Sequence, residues 1–348
     1  KVLGRLKRQK RMVEETSVTI ADIAERAQVS KSTVSRVLSG SAVVTQPKRA
    51  AVLKAIEELD FRPNIFAQSL ASGRSFTIGV LTQNIGSPFY DDILVGIHEG
   101  FSVSDYSPIF ADGRWHLATE QSALQTLLNR RVDGLIVIGG SIPEEELLKL
   151  GDDYQVPLIA VARSLPELGS RCICLDNYEA AYKATKHLIE HGHRQIAHIT
   201  GALAQRDAVR RRDGYLQALS DAGIKPDPDL IVEGNFRRQS GTLAVEMLIA
   251  RGRMFSAIFA ANDQMAFGAR LALFRRGLRV SEDISIIGID DEPASAYMTP
   301  PLTTMRQPAY EMGAAAAKAI LCLLKDEPIP DMKFSIELIA RETVARHI

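Results

Sequence analysis

The sequence predicts a small all-α helix-turn-helix head joined to an α/β core of two doubly wound parallel-sheet subdomains. Three observations carry this. From Val18 to Leu38, VTIADIAERAQVSKSTVSRVL places two short amphipathic patterns around a tight turn. From Thr77 onward, apolar strand-like runs alternate with amphipathic helical ones, which is the grammar of parallel sheets covered on both faces. The formal net charge of zero also conceals an asymmetry: residues 1–75 hold 14 Lys and Arg against 7 Asp and Glu, and the remainder hold 28 against 35. A basic head on an acidic body suits a chain that meets a polyanion at one end only.

At 348 residues, 46% of them hydrophobic, the chain has room for two or three soluble compact units. No apolar run is long enough to span a bilayer, and the N-terminal KVLGRLKRQKR lacks the apolar core of a secretory signal. The first residue is not Met, so the true start is expected to lie upstream. Cys172, Cys174 and Cys322 form a sparse, odd set, as expected of a reducing cytoplasm. The expectation is a cytoplasmic protein without a membrane partner.

In the head, Thr19 is placed to cap a first helix in which Ile20, Ile23, Ala24 and Ala27 recur at helical spacing. A second helix begins at Ser30 and buries Val34, Val37 and Leu38. Two such helices need a third to cover them, and Pro47 to Leu59 supplies it. Lys31, Ser32, Thr33, Ser35 and Arg36 are left pointing outward. Short hydroxyls and cations of this kind read base edges and hold phosphates. Residues 1–16 read as a basic disordered extension, 17–62 as the DNA-binding head and 63–75 as a hinge helix, with 76–348 as the core. Pro63 ends the third helix, Asn64 caps the hinge and Gly73 terminates it. About two turns are too short to stand alone.

The strand-like runs are TIGVLT, GLIVIG, PLIAVA, CICLDN, IAHITG, AIFAAN and ISIIGIDD; helices are expected at 118–130, 178–191, 207–222, 240–251, 263–276 and 309–325. Ligands of such sheets bind outside the carboxyl ends of the strands. There stand Gln83 and Asn84, then Pro88-Phe89-Tyr90; Arg211 to Tyr215; Asn262 and Asp263; and Asp290 and Asp291. Planar bidentate groups match adjacent sugar hydroxyls, which both donate and accept. Phe89 and Phe236 suit the apolar face of a pyranose. Asp263 reads as the cap of the helix that starts there, and Asp291 as a loop cap.

At Phe61-Arg62-Pro63-Asn64, followed by IFAQSLASGRS, the chain resembles the LacI/GalR family of bacterial transcription repressors, and the resemblance runs from about Val18 to the end. It implies a periplasmic-binding-protein-like core, with an N-subdomain of about 76–174 and 308–333 and a C-subdomain of about 175–307 and 334–348. It implies that Lys31, Ser32 and Arg36 face bases in the major groove, and that Ser30, Thr33, Ser35, Thr45 and Arg49 position phosphates, with Thr19 and Asn64 in the same DNA-facing set. Leu70 would wedge between base pairs in the minor groove, as apolar kinking side chains do. In the cleft it assigns effector contacts to Arg114, Arg211, Phe236, Asn262, Asp290 and Gln307, to which the strand-end reading adds Asn84 and Phe89. Three positions depart from the family pattern: Gln28 replaces a turn Gly, Ala162 an Asp (Arg163 after it remains), and Ile138 an amide. Trp115 can compensate as a stacking surface.

HLIEHGH puts His187 and His191 four apart, a spacing that can bind zinc, but the run also resembles an ordinary helix end with Gly192 as cap. Cys172 and Cys174 fall in a strand and should point to opposite faces. No nucleotide-binding glycine motif follows a strand, and no nucleophile elbow or catalytic triad is assigned. The reading is a non-enzymatic regulator without cofactor, a homodimer on a pseudo-palindromic double-stranded operator, answering a small sugar effector. A leucine-heptad extension is absent at Ile348, which favours the dimer. The alternatives are a purine, sugar-acid or phosphorylated effector, or a solute-binding protein without a DNA role.

Overall fold

The computed structural model describes residues 18–38, 43–61 and 73–347. The chain forms two units, Lys1–Ser75 and Phe76–Ile348. In the first, α1 (Ile20–Arg26), α2 (Lys31–Leu38) and α3 (Gln46–Glu58) share a core of Ile23, Ala24, Val34, Val37, Val52 and Ala55. Thr19 opens α1 together with Asp22, whose Oδ2 accepts the Thr19 N–H and hydroxyl, each at 2.7 Å. The Ser30 hydroxyl accepts the Thr33 N–H at 3.2 Å ahead of α2, so an orphan donor of the first turn is satisfied. Gln28 turns the chain between α1 and α2 at φ +54°, a left-handed conformation usually left to Gly.

The second unit contains two sheets. The first has the order β2-β1-β3-β4-β5, all parallel, from β1 (Thr77–Thr82), β2 (Ser107–Asp112), β3 (Gly134–Ile138), β4 (Leu158–Val161) and β5 (Cys172–Ile173). Its helices are α4 (Pro88–Gly100), α5 (Leu117–Asn129) and α6 (Glu144–Tyr154). The chain then continues through α7 (Asn177–Glu190), β6 (Ile196–Thr200), α8 (Arg206–Asp221) and β7 (Ile231–Glu233). After these come α9 (Arg238–Ala250), β8 (Ala257–Ala260), α10 (Asp263–Arg275), β9 (Ser285–Asp290), the short α11 (Pro293–Tyr297) and β10 (Thr303–Arg306). Finally α12 (Ala309–Leu324) precedes β11 (Glu337–Ile339). The second sheet has the order β11-β10-β9-β8-β6-β7, parallel except for β11 against β10.

Connectivity and sheet membership do not coincide. Although α12 follows β10 of the second sheet, its Met312, Ala316 and Ile320 pack with Ile93 and Ile97 of α4 in the core of the first. The backbones meet at small residues: a Cβ on Gly313 would lie 2.1 Å from the Ile93 carbonyl oxygen, and one on Gly96 would lie 2.1 Å from that of Tyr310. Only glycine permits that approach.

Several sequence expectations change. The CICLDN strand shrinks to Cys172–Ile173, because Asp176 accepts the Tyr178 and Glu179 N–H groups at 3.0 and 3.1 Å and starts α7. Alternation therefore stops before Cys174. The Cys172 sulfur accepts the Leu165 N–H at 3.3 Å and donates to the Arg163 carbonyl at 2.9 Å, while Cys174 is exposed. The helix α4 was hidden because Pro88 opens it, a position where Pro is favoured. The strands β2 and β10, SPIFAD and TTMR, are too polar to read as apolar runs. Among the described residues no helix is long and apolar enough to cross a membrane, and no group of three or more ligand-type side chains suits a metal ion. His191 Nδ1 is held by the His187 carbonyl at 2.8 Å, and His193 lies between Ser256 and the Ala345 carbonyl.

Gln28→Gly is expected to relieve the left-handed turn by about 1 kcal/mol, which should slow amide hydrogen exchange in α1 and α2 roughly fivefold.

Candidate functional site: a cleft at the strand ends and an exposed helix face

On α2, burial of Val34 and Val37 leaves Lys31, Ser32, Ser35 and Arg36 exposed and Thr33 partly so. The Ser30 hydroxyl also bonds those of Ser32 and Thr33, at 2.8 and 2.9 Å. The Thr19 hydroxyl is engaged by Asp22. Thr45 precedes α3, and Arg49 donates its N–H to the Thr45 carbonyl at 3.0 Å. The face therefore combines hydroxyls and cations on a single helix. Asn64 and Leu70 lie outside the described residues.

The carboxyl ends of both sheets meet at a cleft of about 760 Å³, part of it open to solvent. Its two walls differ in chemistry. From the first-sheet side come Phe89, Tyr90, Trp115, Ala162, Leu175 and Met312, with Asn84 and Ser87 at the edge. Tyr90 is the middle ring of an edge-to-face series, with centroids 5.3 Å from Phe89 and 5.9 Å from Trp115. From the second-sheet side come Asn177, Asp207, Arg211, Asn262, Asp290 and Gln307, with Gln205, Asn235, Phe236 and Arg237 beside them.

Each polar group is held by the fold. Arg211, one turn after Asp207 on α8, is 6% exposed. Its Nε donates to Asn177 Oδ1 at 2.7 Å, Nη1 donates to the Ala261 carbonyl, and its guanidinium stands 5.6 Å over the Phe236 ring. Asn262 accepts the Met265 N–H at 3.0 Å and donates to the Phe236 carbonyl at 3.1 Å. Register places Arg306 opposite Asp290, so the next residue, Gln307, donates to Asp290 Oδ1 at 2.6 Å. Phe236, Trp115, Ala162, Asp290 and Asp291 all have positive φ. Side chains at left-handed positions incur strain, and such strain gathers at functional sites.

Electrostatics follow from this burial. Desolvation raises the Asp207 pKa against the pull of Arg211. It raises Asp290 to about 6, opposed by Arg211 and by the Gln307 hydrogen bond. Glu292, just behind Asp290, rises to about 7 through burial and the nearby Asp290 charge. The carboxyl groups of Asp207 and Asp290 offer acceptors to hydroxyls, and the guanidinium of Arg211 offers donors.

Of the sequence-assigned cleft residues, Asn84, Phe89, Arg211, Phe236, Asn262, Asp290 and Gln307 line the cleft. Arg114 does not. It is exposed, its N–H is tied to Asp112 Oδ1 at 2.9 Å, and the left-handed turn that follows delivers Trp115 instead. Asp263 is not the helix cap; Asn262 is. Asp263 is fully buried and accepts hydrogen bonds from Ser295, Thr304 and the Glu292 N–H. Asp291 is held by Arg306 and Arg341, each at 2.7 Å. Tyr90 was read at its strand end without a contact of its own, and Asn177, Gln205, Asp207 and Arg237 were missed. Their shared signal was position, since each lies in or near the first turn of a helix that follows a strand.

Comparison with known proteins matches residues 19–64 to the model for bacterial regulatory proteins of the lacI family and residues 185–344 to a periplasmic binding protein-like domain. The ribose operon repressor of Haemophilus influenzae is 35% identical over 88% of this chain and 92% of its own length. Among solved structures, the lac repressor dimer bound to operator and the anti-inducer ONPF superposes with a TM-score of 0.84 at 29% identity, covering 95% of this chain and all of that one (100%). The complex of the transcriptional regulator CelR with cellobiose superposes at 0.70, with 31% identity over 94% of this chain and 99% of that one.

Glu292 and Asp290 hold protons in the folded state at a pH where the unfolded chain has lost them. Their contribution to stability is therefore complete at low pH and is lost as pH rises through about 6 to 7. Glu292→Gln is expected to be more stable than the parent by roughly 1–3 kcal/mol near about pH 8, and to lose that advantage near about pH 5. Urea unfolding at the two pH values measures it.

Proposed function

The chain belongs to the LacI family of bacterial regulatory proteins, which are DNA-binding transcriptional regulators, and we propose that its operator affinity is set by a small carbohydrate held in the cleft. One observation carries the effector reading: a fixed amide, guanidinium and carboxylate set on one wall faces an aromatic wall on the other. Adjacent hydroxyls need acceptors and donors in one plane, and the apolar face of a sugar ring needs a flat partner. The likeness to a cellobiose complex supports the same class.

On the DNA side, Lys31, Ser32 and Arg36 read base edges in the major groove, while Ser30, Thr33, Ser35, Thr45 and Arg49 hold phosphates. Thr19 and Asn64 support that contact, and Leu70 opens a step in the minor groove. Two subunits pair through residues 76–174 and 308–333 and set two heads on a pseudo-palindromic operator in the bacterial cytoplasm. Residues 175–307 and 334–348 form the second half of each core. The effector acts through different affinities for two core states. The work is binding, with no catalytic step.

The test is thermal unfolding of the protein against monosaccharides, disaccharides, sugar acids and purines. An effector at 100 times its Kd adds about 2.7 kcal/mol. Trp115 is the single tryptophan of the chain and lines the cleft, so the same ligand is expected to change its fluorescence. Arg211→Ala should abolish both responses and leave operator binding intact; an unchanged response would place the effector elsewhere. Arg36→Ala is expected to weaken operator binding by about 1–3 kcal/mol, read by gel shift, with no change in the Trp115 signal.

A further inference from the structure

A second recess of about 570 Å³ lies between α4, the loop after β9 and the start of α12. It shares Phe89, Asp290 and Gln307 with the cleft. Five carboxylates line it, those of Asp92, Asp290, Asp291, Glu292 and Glu311, against one cation, Arg306. Arg306 is engaged by Asp291 at 2.7 Å and by Glu337 at 3.5 Å. That leaves Asp92, Asp290, Glu292 and Glu311 with no cation in contact among the described residues. Arg211 acts on Asp290, and Arg238 on Glu292, only from a distance.

Glu292 makes this more than an acidic surface. The residue is 3% exposed, and its Oε2 accepts from Gln264 Nε2. Its Oε1 is buried without a hydrogen-bond partner among the described residues. A buried carboxylate oxygen with no donor is costly. Burial raises the pKa of both Asp92 and Glu292, and like charges add to it, Asp91 and Glu311 at Asp92 and Asp290 and Asp92 at Glu292. A group with several N–H donors and a positive charge would relieve both.

The lining selects the kind of cation. No cluster among the described residues is tight enough to hold a metal ion. The rings of Phe89 and Tyr310 line the recess, and aromatic faces attract organic cations. We infer that this recess is a second binding site, for an aliphatic diamine whose ammonium groups are held between Asp92 and Glu292 with its methylenes against Phe89 and Tyr310. Because Asp290 belongs to both walls, the amine keeps that carboxylate ionised as a hydroxyl acceptor, and amine and effector bind with positive coupling. The coupling rests on the carbohydrate reading above; the amine site does not.

The experiment titrates the full-length protein with putrescine by calorimetry and thermal unfolding, with sodium chloride and magnesium chloride at matched ionic strength as controls. Saturable binding to putrescine alone is expected, weakened at least tenfold by Asp92→Asn and by Glu292→Gln. Asp92 is exposed on α4, so its variant should fold and keep the Trp115 response to effector. Absent or unsaturable binding, an equal shift with either salt, or undiminished affinity in both variants would overturn the site. Putrescine binding in a protein that answers no sugar would sustain it while removing the carbohydrate reading.

Discussion

The buried carboxylate of Asp263 ties together three stretches of chain that build the polar wall of the cleft. Its Oδ2 accepts the Glu292 N–H at 3.1 Å and the Ser295 hydroxyl at 2.6 Å, and its Oδ1 accepts the Thr304 hydroxyl at 2.6 Å. Burial pushes its pKa well above the ordinary range, and the two hydroxyls pull the other way. The preceding residue, Asn262, is fixed by its own amide hydrogen bonds. The end of β9, which carries Asp290, and the end of β10, which leads to Gln307, are thus referenced to one buried point. Leaving a buried polar group without its partner costs about 1–3 kcal/mol, so the wall holds its geometry before any ligand arrives. A preordered set of this kind loses little entropy on binding.

The two walls divide recognition. One supplies directional hydrogen bonds from groups already satisfied by the protein, and the other supplies rings without fixed donors. A ligand that touches both halves senses their separation, and this gives a cleft leverage over the position of distant parts of the same subunit. Asp290 stands where the cleft and the acidic recess meet, so its ionisation is felt on both sides.

Much of this was legible in the sequence, for reasons that differ between elements. The buried strands β1, β3, β4, β6, β8 and β9 are apolar throughout or nearly so, and central parallel strands announce themselves in this way. The edge strand β2 and the polar β10 did not, because one is partly exposed and the other owes its burial to neighbours. Asn262 and Asp290 could be named from their place at strand ends, and Arg211 from the family pattern in the helix after β6. Asp263 could not be given its role, since its partners Ser295 and Thr304 lie far along the chain. Trp115 was already read as a stacking surface, but the exclusion of Arg114 was hidden: adjacent residues both adopt positive φ, and which of the two faces inward is decided by that turn.

The glycine contact between α4 and α12 has a consequence for the order in which the protein is made. The apolar face of α4 is covered by a helix that begins at Ala309. At roughly 5–20 residues per second on the ribosome, α12 follows α4 by about 10–40 s. Through that interval Ile93 and Ile97 lack the part of their cover that Met312, Ala316 and Ile320 supply. The second sheet waits longer still, because its last strand is β11. Neither half is therefore a unit that can finish while the other is being synthesised, and the nascent chain stays open to chaperones and proteases until its final stretch emerges.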